Sequence, residues 1–296
     1  MLRAYQMPDS KLILITGASG RIGGRTAGLL SRDGYRLRLM TRQSERLPDV
    51  PGAETVRGDY AEPATLGSVF AGVDTALIVS ASGEPGKRAL HHRNAFEAAA
   101  KAKVKHVVYL SMQGAAEDSK YPFSRDHYLS EQFLAATGLK YTVLRDAFYI
   151  DMFLTEDKFD SEGVLRGPAG EGRAAFVSRE DVAQTTAAAL QTQPEGIYDV
   201  TGPEAPSVAE VVAKLSALTG RTLRFEDETP AGMRIRLTMQ NLQPWQIGLS
   251  VGWFQAIAAG ELARVSDTVR SFTGTSPMGT EEYFGKFPEL LRPLRK

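Results

Sequence analysis

Apolar and polar positions follow two alternating patterns over the first half of the chain. Short continuous apolar runs such as "LILIT" (Leu12–Thr16) have the length and β-branching of buried strands. Longer stretches with one apolar stripe lie between them and predict helices. "RIGGRTAGLLSRDG" predicts a helix closed by Gly34, and "YRLRLMT" (Tyr35–Thr41) a second strand. "AETVRGD" predicts a third strand, "PATLGSVFAGV" a helix opened by Pro63, and "DTALIVSA" a fourth strand. "GKRALHHRNAFEAAAKAK" and "SRDHYLSEQFLAATG" predict helices that precede strands five and six, "VKHVVYLS" and "LKYTVLR". Such alternation of apolar strands with helices predicts a parallel sheet covered on both faces, and right-handed crossovers make it doubly wound, an α/β fold.

After Arg145 the rhythm breaks. "DAFYIDMFL" predicts a short aromatic helix, "REDVAQTTAAALQT" and "VAEVVAKLSALTG" helices, and "GIYDVTG" and "TLRFEDE" strands. The C-terminal part, "PWQIGLSVGWFQAIAAGELA", "DTVRSF" and "TEEYFGKF", is helical, with Trp245 and Trp253 expected in its core. The expected organisation is a nucleotide-type domain over 1–150, rejoined by 174–202. A smaller, mostly helical lobe is expected over 151–173 and 203–296.

Composition narrows the function. The chain has 296 residues, 43% apolar and 24% charged, with 35 basic and 35 acidic side chains, so the formal net charge is zero. This balance argues against nucleic acid as a partner. With no cysteine, disulfides, thiolate metal sites and a cysteine nucleophile are excluded. No metal-ligand spacing appears, and no G-x-S-x-G elbow marks a serine nucleophile. "MLRAYQMPDSK" lacks the apolar core of a signal peptide, and no apolar run reaches the roughly 20 residues of a membrane helix, so a cytoplasmic protein is expected.

The chemistry starts at "TGASGRIGG", a G-x-x-G-x-x-G loop between the first strand and first helix. Gly17 allows a sharp turn, Gly20 lets a pyrophosphate approach backbone N–H groups, and Gly23 lets helix and strand pack closely. This is the dinucleotide-binding pattern of a Rossmann fold. Ser19, Arg21 and Ile22 complete the loop. The bare alternative is a tight turn without a ligand. The second strand ends in Thr41 and Arg42, where an NAD binder carries an acidic residue for the ribose 2′-hydroxyl. A guanidinium there suits a 2′-phosphate, so NADPH is the expected cofactor, with NADH as the lesser fit. Arg21 is either a second phosphate contact or a solvated side chain. Asp59 and Tyr60 fall after the third strand, where the adenine edge would lie, and Ser80 and Ala81 after the fourth, near a ribose.

"TGASGRIGG", "VRGDY", "HVVYLS", "SEQFLAATGLKYTVLR" and "VSREDVAQTTAAAL…GIYDVTGPEAPSVAEVVAKLSALTG" together resemble the NmrA-like atypical short-chain dehydrogenases. The resemblance is nearest to bacterial NAD(P)H:quinone reductases and triphenylmethane- or azo-dye reductases. It covers the chain to about Phe225. The wider family uses a Tyr-x-x-x-Lys pair to protonate a carbonyl. In this chain the tyrosine slot falls on Phe123 and the lysine slot on His127, while Tyr128 is followed four residues later by Gln132. The family's strand-five serine is present as Ser111.

This departure selects acceptors. Hydride addition to a ketone makes an alkoxide that needs a proton donor or oxyanion site. A quinone gives a resonance-stabilised phenolate, and a cationic dye is simply neutralised. The resemblance therefore implies a reductase of quinones or conjugated dyes, taking a small aromatic acceptor. The competing readings are a non-catalytic NADP-binding regulator and, third, an isomerase or epimerase that keeps its cofactor. His127 is the candidate proton donor or cofactor contact, with Ser111 beside it; the bland reading is a surface histidine next to Asp126. Ala147 is expected at the nicotinamide, and Phe123, Phe148, Tyr149 and Met152 either form an acceptor pocket or simply pack. His91, His92 and His106 are expected to be structural or solvated, and Glu131 a helix-face or capping residue. An exposed helix pair on the sheet leaves room for a homodimer.

Overall fold

Four consecutive buried residues, Leu12–Ile15, form β1, an interior strand of a seven-stranded sheet in the computed structural model, which describes residues 11–42, 47–154 and 158–294. The N-terminal "MLRAYQMPDS", expected not to be a signal peptide, lies outside the described residues. β1 leads into α1 (Arg21–Arg32), and β2 (Arg36–Thr41), β3 (Glu54–Arg57), α2 (Pro63–Phe70), β4 (Thr75–Ile78), α3 (Lys87–Lys101) and β5 (His106–Met112) follow. Next come α4 (Pro122–Ala136), β6 (Lys140–Asp146), β7 (Val164–Gly167), α5 (Arg179–Thr192) and β8 (Gly196–Val200). The chain finishes with α6 (Val208–Thr219), β9 (Arg224–Asp227), α7 (Pro230–Met239), α8 (Pro244–Ala258), α9 (Thr268–Thr273) and α10 (Thr280–Lys286).

The chain divides into two compact units. The first holds residues 1–111, 129–144 and 182–198, with the sheet in the order β3-β2-β1-β4-β5-β6-β8. β1 pairs in parallel with both β2 and β4, Ile13 facing Leu37 on one side and Thr75 on the other. Strand order thus reverses beside β1, and a doubly wound sheet binds ligands at that switch point, beyond the strands' C-terminal ends. Leu14, Leu66, Phe70, Phe96 and Tyr109 are among the fully buried side chains of this unit.

The second unit holds 112–128, 145–181 and 199–296, so residues 112–128 and 145–150 group with it rather than with the sheet unit. A core of Phe153, Val211, Leu215, Val251 and Phe284 is fully buried, and α6 is fixed at its start by a capping box in which Ser207 Oγ accepts from the Glu210 amide. β7 and β9 form a two-stranded parallel sheet, with Leu165 facing Phe225. β7 and α7 are elements that the apolar pattern does not predict. The short aromatic helix expected in "DAFYIDMFL" is one turn of 3-10 helix, Ile150–Phe153. Trp253 is in the core as expected, but Trp245 is 37% exposed, because it sits in the first turn of α8 on its outer side. Among the described residues, no helix is long and apolar enough to cross a membrane.

Candidate cofactor-binding site

β1 ends against a turn that only glycine fits. Gly17 has φ of 58°, and a β-carbon there would press to 3.0 Å from the Val79 side chain. The Gly20 amide donates to the Gly17 carbonyl at 2.9 Å, closing the turn. Gly20 is then the N-cap of α1, in extended backbone, with no side chain capping the helix. This end of α1 is the positive end of the helix dipole, which favours an anion. Gly23 sets how close α1 comes: a β-carbon on it would lie 2.5 Å from the Gly17 carbonyl oxygen and 3.2 Å from that of Thr16.

This turn forms one wall of a cleft of about 310 Å³. Gly17, Ser19 and Gly20 line it, with Thr41 at the end of β2 and Arg42 just past it, Asp59 and Tyr60 after β3, and Ser80, Ala81 and Ser82 after β4. Each contribution lies at or just past a strand's C-terminal end, the position expected for a ligand site in this topology. Arg42 is exposed at the cleft. Arg21 is exposed and Ile22 and Gly23 are buried; these three occupy the first turn of α1.

Hydrogen bonds lock the loops together. Thr16 Oγ1 donates to the Leu77 carbonyl at 2.8 Å and accepts from the Val79 amide at 2.9 Å and the Tyr60 hydroxyl at 2.5 Å. Tyr60 thus lines the cleft with its hydroxyl turned into the protein, and burial raises that hydroxyl's pKa. Asp59 Oδ1 accepts from the Ala61 amide at 2.9 Å and so shapes the β3 turn.

Ser111, at the C-terminal part of β5, is buried and donates to Glu131 Oε1 at 2.5 Å. The serine's single proton is therefore committed to a carboxylate, and its oxygen is left as an acceptor. Glu131 is buried, so the expectation of a helix-face or capping residue fails: α4 turns it toward β5. His127 is only 4% exposed, which removes the surface-histidine reading; Asp126 beside it is buried too.

In the second unit, Ala147 is buried and its amide donates to the Val200 carbonyl at 2.9 Å. Phe148 packs between Tyr121 and Trp253, each ring 5.4 Å away, and Phe123 lies 5.6 Å from Tyr121. Phe123 and Met152 are partly buried against the same core. The Tyr149 hydroxyl donates to Asp146 Oδ2 at 2.9 Å. The Arg179 guanidinium lies 4.1 Å above the Tyr149 ring, and its Nε donates to both oxygens of Asp151. Burial pushes the Asp146 carboxyl up to about 8, against the opposing pull of the Tyr149 hydrogen bond and Arg179.

Sequence reasoning missed His91, which lines the cleft from α3, and the roles of His92 and Asp146. His92 is fully buried and its Nε2 accepts from the Ala81 amide at 2.7 Å. His106 is buried against Thr142, as a structural role requires. A helical wheel of α3 is the signal that separates the histidines: neighbours 100° apart face different surroundings.

The NAD(P)H-binding family profile matches residues 17–193, a range that includes the glycine loop and the residues lining the cleft. The chain is 32% identical over 95% of its length to (4-alkanoyl-5-oxo-2,5-dihydrofuran-3-yl)methyl phosphate reductase of Streptomyces griseus, covering 100% of that protein. It is 31% identical over 93% of its length to the NAD(P)H azoreductase of Xenophilus azovorans, covering 97% of it. Among solved structures, the NADPH-dependent quinone oxidoreductase QOR2 of Escherichia coli, complexed with NADPH, superposes with a TM-score of 0.83 at 26% identity, covering 93% of this chain and 99% of that one.

Proposed function

The chain belongs to the NmrA-like, NAD(P)H-binding family, and from that premise we propose that it is an NADPH-dependent reductase of quinones or conjugated, dye-like acceptors. The observation that carries this reading is that Arg42 lines the same cleft as Gly17 and Gly20. Backbone N–H groups of the loop and the first turn of α1 would hold the pyrophosphate, with Gly17 and Gly23 permitting the close turn and the helix approach this needs. Arg42 would hold the 2′-phosphate, and Asp59, Ser80 and Ala81, which line the same cleft, would hold the adenosine side. When bound, the nicotinamide supplies the hydride.

Acceptor choice follows from what α4 lacks. Its sequence, "PFSRDHYLSEQFLAA", contains no lysine, and Phe123 occupies the position of the family's tyrosine. Phe123 offers no proton, and the Ser111 hydroxyl already spends its one hydrogen bond as donor on Glu131. Acceptors whose hydride adduct is stabilised by conjugation suit such a site, because orientation alone carries most of their rate. The acceptors named for the relatives, a dihydrofuranone, an azo compound and a quinone, are conjugated electrophiles. His127, on α4, is the group assigned to place or protonate the acceptor oxygen. Ala147, Phe148, Tyr149 and Met152 are assigned to the nicotinamide and acceptor side.

The test is NADPH oxidation followed at the nicotinamide absorbance with quinones, azo dyes, triphenylmethane dyes and plain ketones. Turnover of conjugated acceptors and none of ketones is expected. Tight NADPH binding without turnover of any acceptor would contradict the reading and favour a regulator.

A further inference from the structure

Ala81 is held by α3 at both of its backbone groups. Its amide donates to His92 Nε2 at 2.7 Å, and its carbonyl accepts from Arg88 Nε at 2.7 Å. Arg88 and His92 are one turn apart on the helix and both are buried. Because Nε2 accepts, the imidazole proton sits on Nδ1 and is donated to Ser130 Oγ at 2.8 Å, with the Tyr109 hydroxyl at 3.1 Å. Burial, reinforced by the Arg88 charge, lowers the pKa of His92 well below its ordinary value, so the acceptor lone pair is kept.

We propose that His92 and Arg88 are positioning residues for the dinucleotide: they clamp Ala81 and thereby fix the wall that Ser80, Ala81 and Ser82 present to the cleft. The inference rests on the cleft's holding NADPH, and it adds residues that touch no cofactor themselves. A wall built on loop backbone loses definition when its anchors go, because the free loop samples many conformers that the ligand must then order. The clamp also explains why adjacent histidines on α3 differ. His91 lines the cleft, while His92 is spent on the loop behind it.

Two substitutions separate the clamp from general packing. His92→Gln can keep an acceptor at the Nε2 place, toward Ala81. His92→Asn keeps a polar group only at the Nδ1 place, toward Ser130. NADPH dissociation constants, melting midpoints and hydrogen exchange across 79–83 are measured on both variants, on Arg88→Ala and on the wild-type protein. For His92→Asn and Arg88→Ala the expected result is a rise of about tenfold in Kd, the loss of one net hydrogen bond at its upper range. Exchange of the Ala81 amide is expected to speed up in His92→Asn. His92→Gln is expected to stay within about threefold of wild type, with the amide still protected. The double variant His92→Asn/Arg88→Ala is expected to cost less than the two single losses combined, because both act through one residue. Equal weakening by Gln and Asn, or unchanged binding with Asn, overturns the clamp. Wild-type protein that fails to bind NADPH overturns the cleft reading instead, and Ala81 exchange in His92→Asn then decides the clamp by itself.

Discussion

Gly23 and Gly17 lie so close that a β-carbon on Gly23 would come within 2.5 Å of the Gly17 carbonyl oxygen. The obstacle is backbone, which cannot swing aside as a flexible side chain would. Gly23→Ala is therefore expected to push α1 off β1, destabilising the fold by about 1–3 kcal/mol and lowering the melting midpoint by about 5 °C. NADPH affinity falls with it, since the helix N-terminus moves. An unchanged melting curve would show that the helix does not depend on this approach.

Arg42 is exposed at the cleft, so its loss costs the fold little. Arg42→Ala is expected to weaken NADPH by roughly tenfold or more, the range of a charge-assisted hydrogen bond, and to leave NADH nearly unchanged. Titration of both cofactors against both proteins reads this directly. Equal loss for the two would retire the 2′-phosphate assignment.

His127 is buried on a helix without lysine. If it supplies a proton to a quinone oxygen, His127→Ala slows quinone reduction on the order of 100-fold. A cationic triphenylmethane dye, which gains no proton on oxygen, is reduced at close to the wild-type rate. Parallel rate constants for the two acceptors check this, and identical losses would leave His127 a structural role only.

Asp146 gives a stability prediction with a definite sign. Its folded pKa of about 8 lies above the ordinary carboxylate value of 3.8, because burial disfavours the charge. Between those values the native state holds a proton that the unfolded chain has released, so stability falls as pH rises. The decline is complete once pH passes the folded pKa. Asp146→Asn keeps an acceptor for Tyr149 and carries no charge. Its melting midpoint relative to wild type is expected to rise steadily from pH 5 to pH 8 and to level off above. A difference that is flat with pH would mean that the carboxyl is not protonated in the native state.

The elements around the glycine loop were legible because each rests on a local rule. Leu12–Ile15 is apolar throughout, and Gly34 and Pro63 mark helix ends by backbone chemistry alone. β7 was not legible: "VLRG" is four residues that follow Gly163 and end in Gly167, and its partner β9 lies some 60 residues on. α7 was hidden for a related reason, since Met233 and Leu237 are its only buried side chains and make too thin a stripe to read. In the site, Gly17, Gly20 and Arg42 could be read from spacing after a strand. Glu131, His92 and Asp146 could not, because their partners, Ser111, Ala81 and Tyr149, include backbone or are set by helix orientation that no local pattern specifies.

The central claim is that the loop from Gly17 to Gly23 holds the pyrophosphate of NADPH while Arg42 holds its 2′-phosphate. A crystal structure of the protein with NADPH tests it most directly. The account predicts phosphate density against the backbone at Gly20 and the start of α1, with the adenosine between Asp59 and Ala81 and the 2′-phosphate at Arg42. Ordered cofactor bound elsewhere, or a cleft still empty at a concentration that saturates the protein in solution, would contradict it.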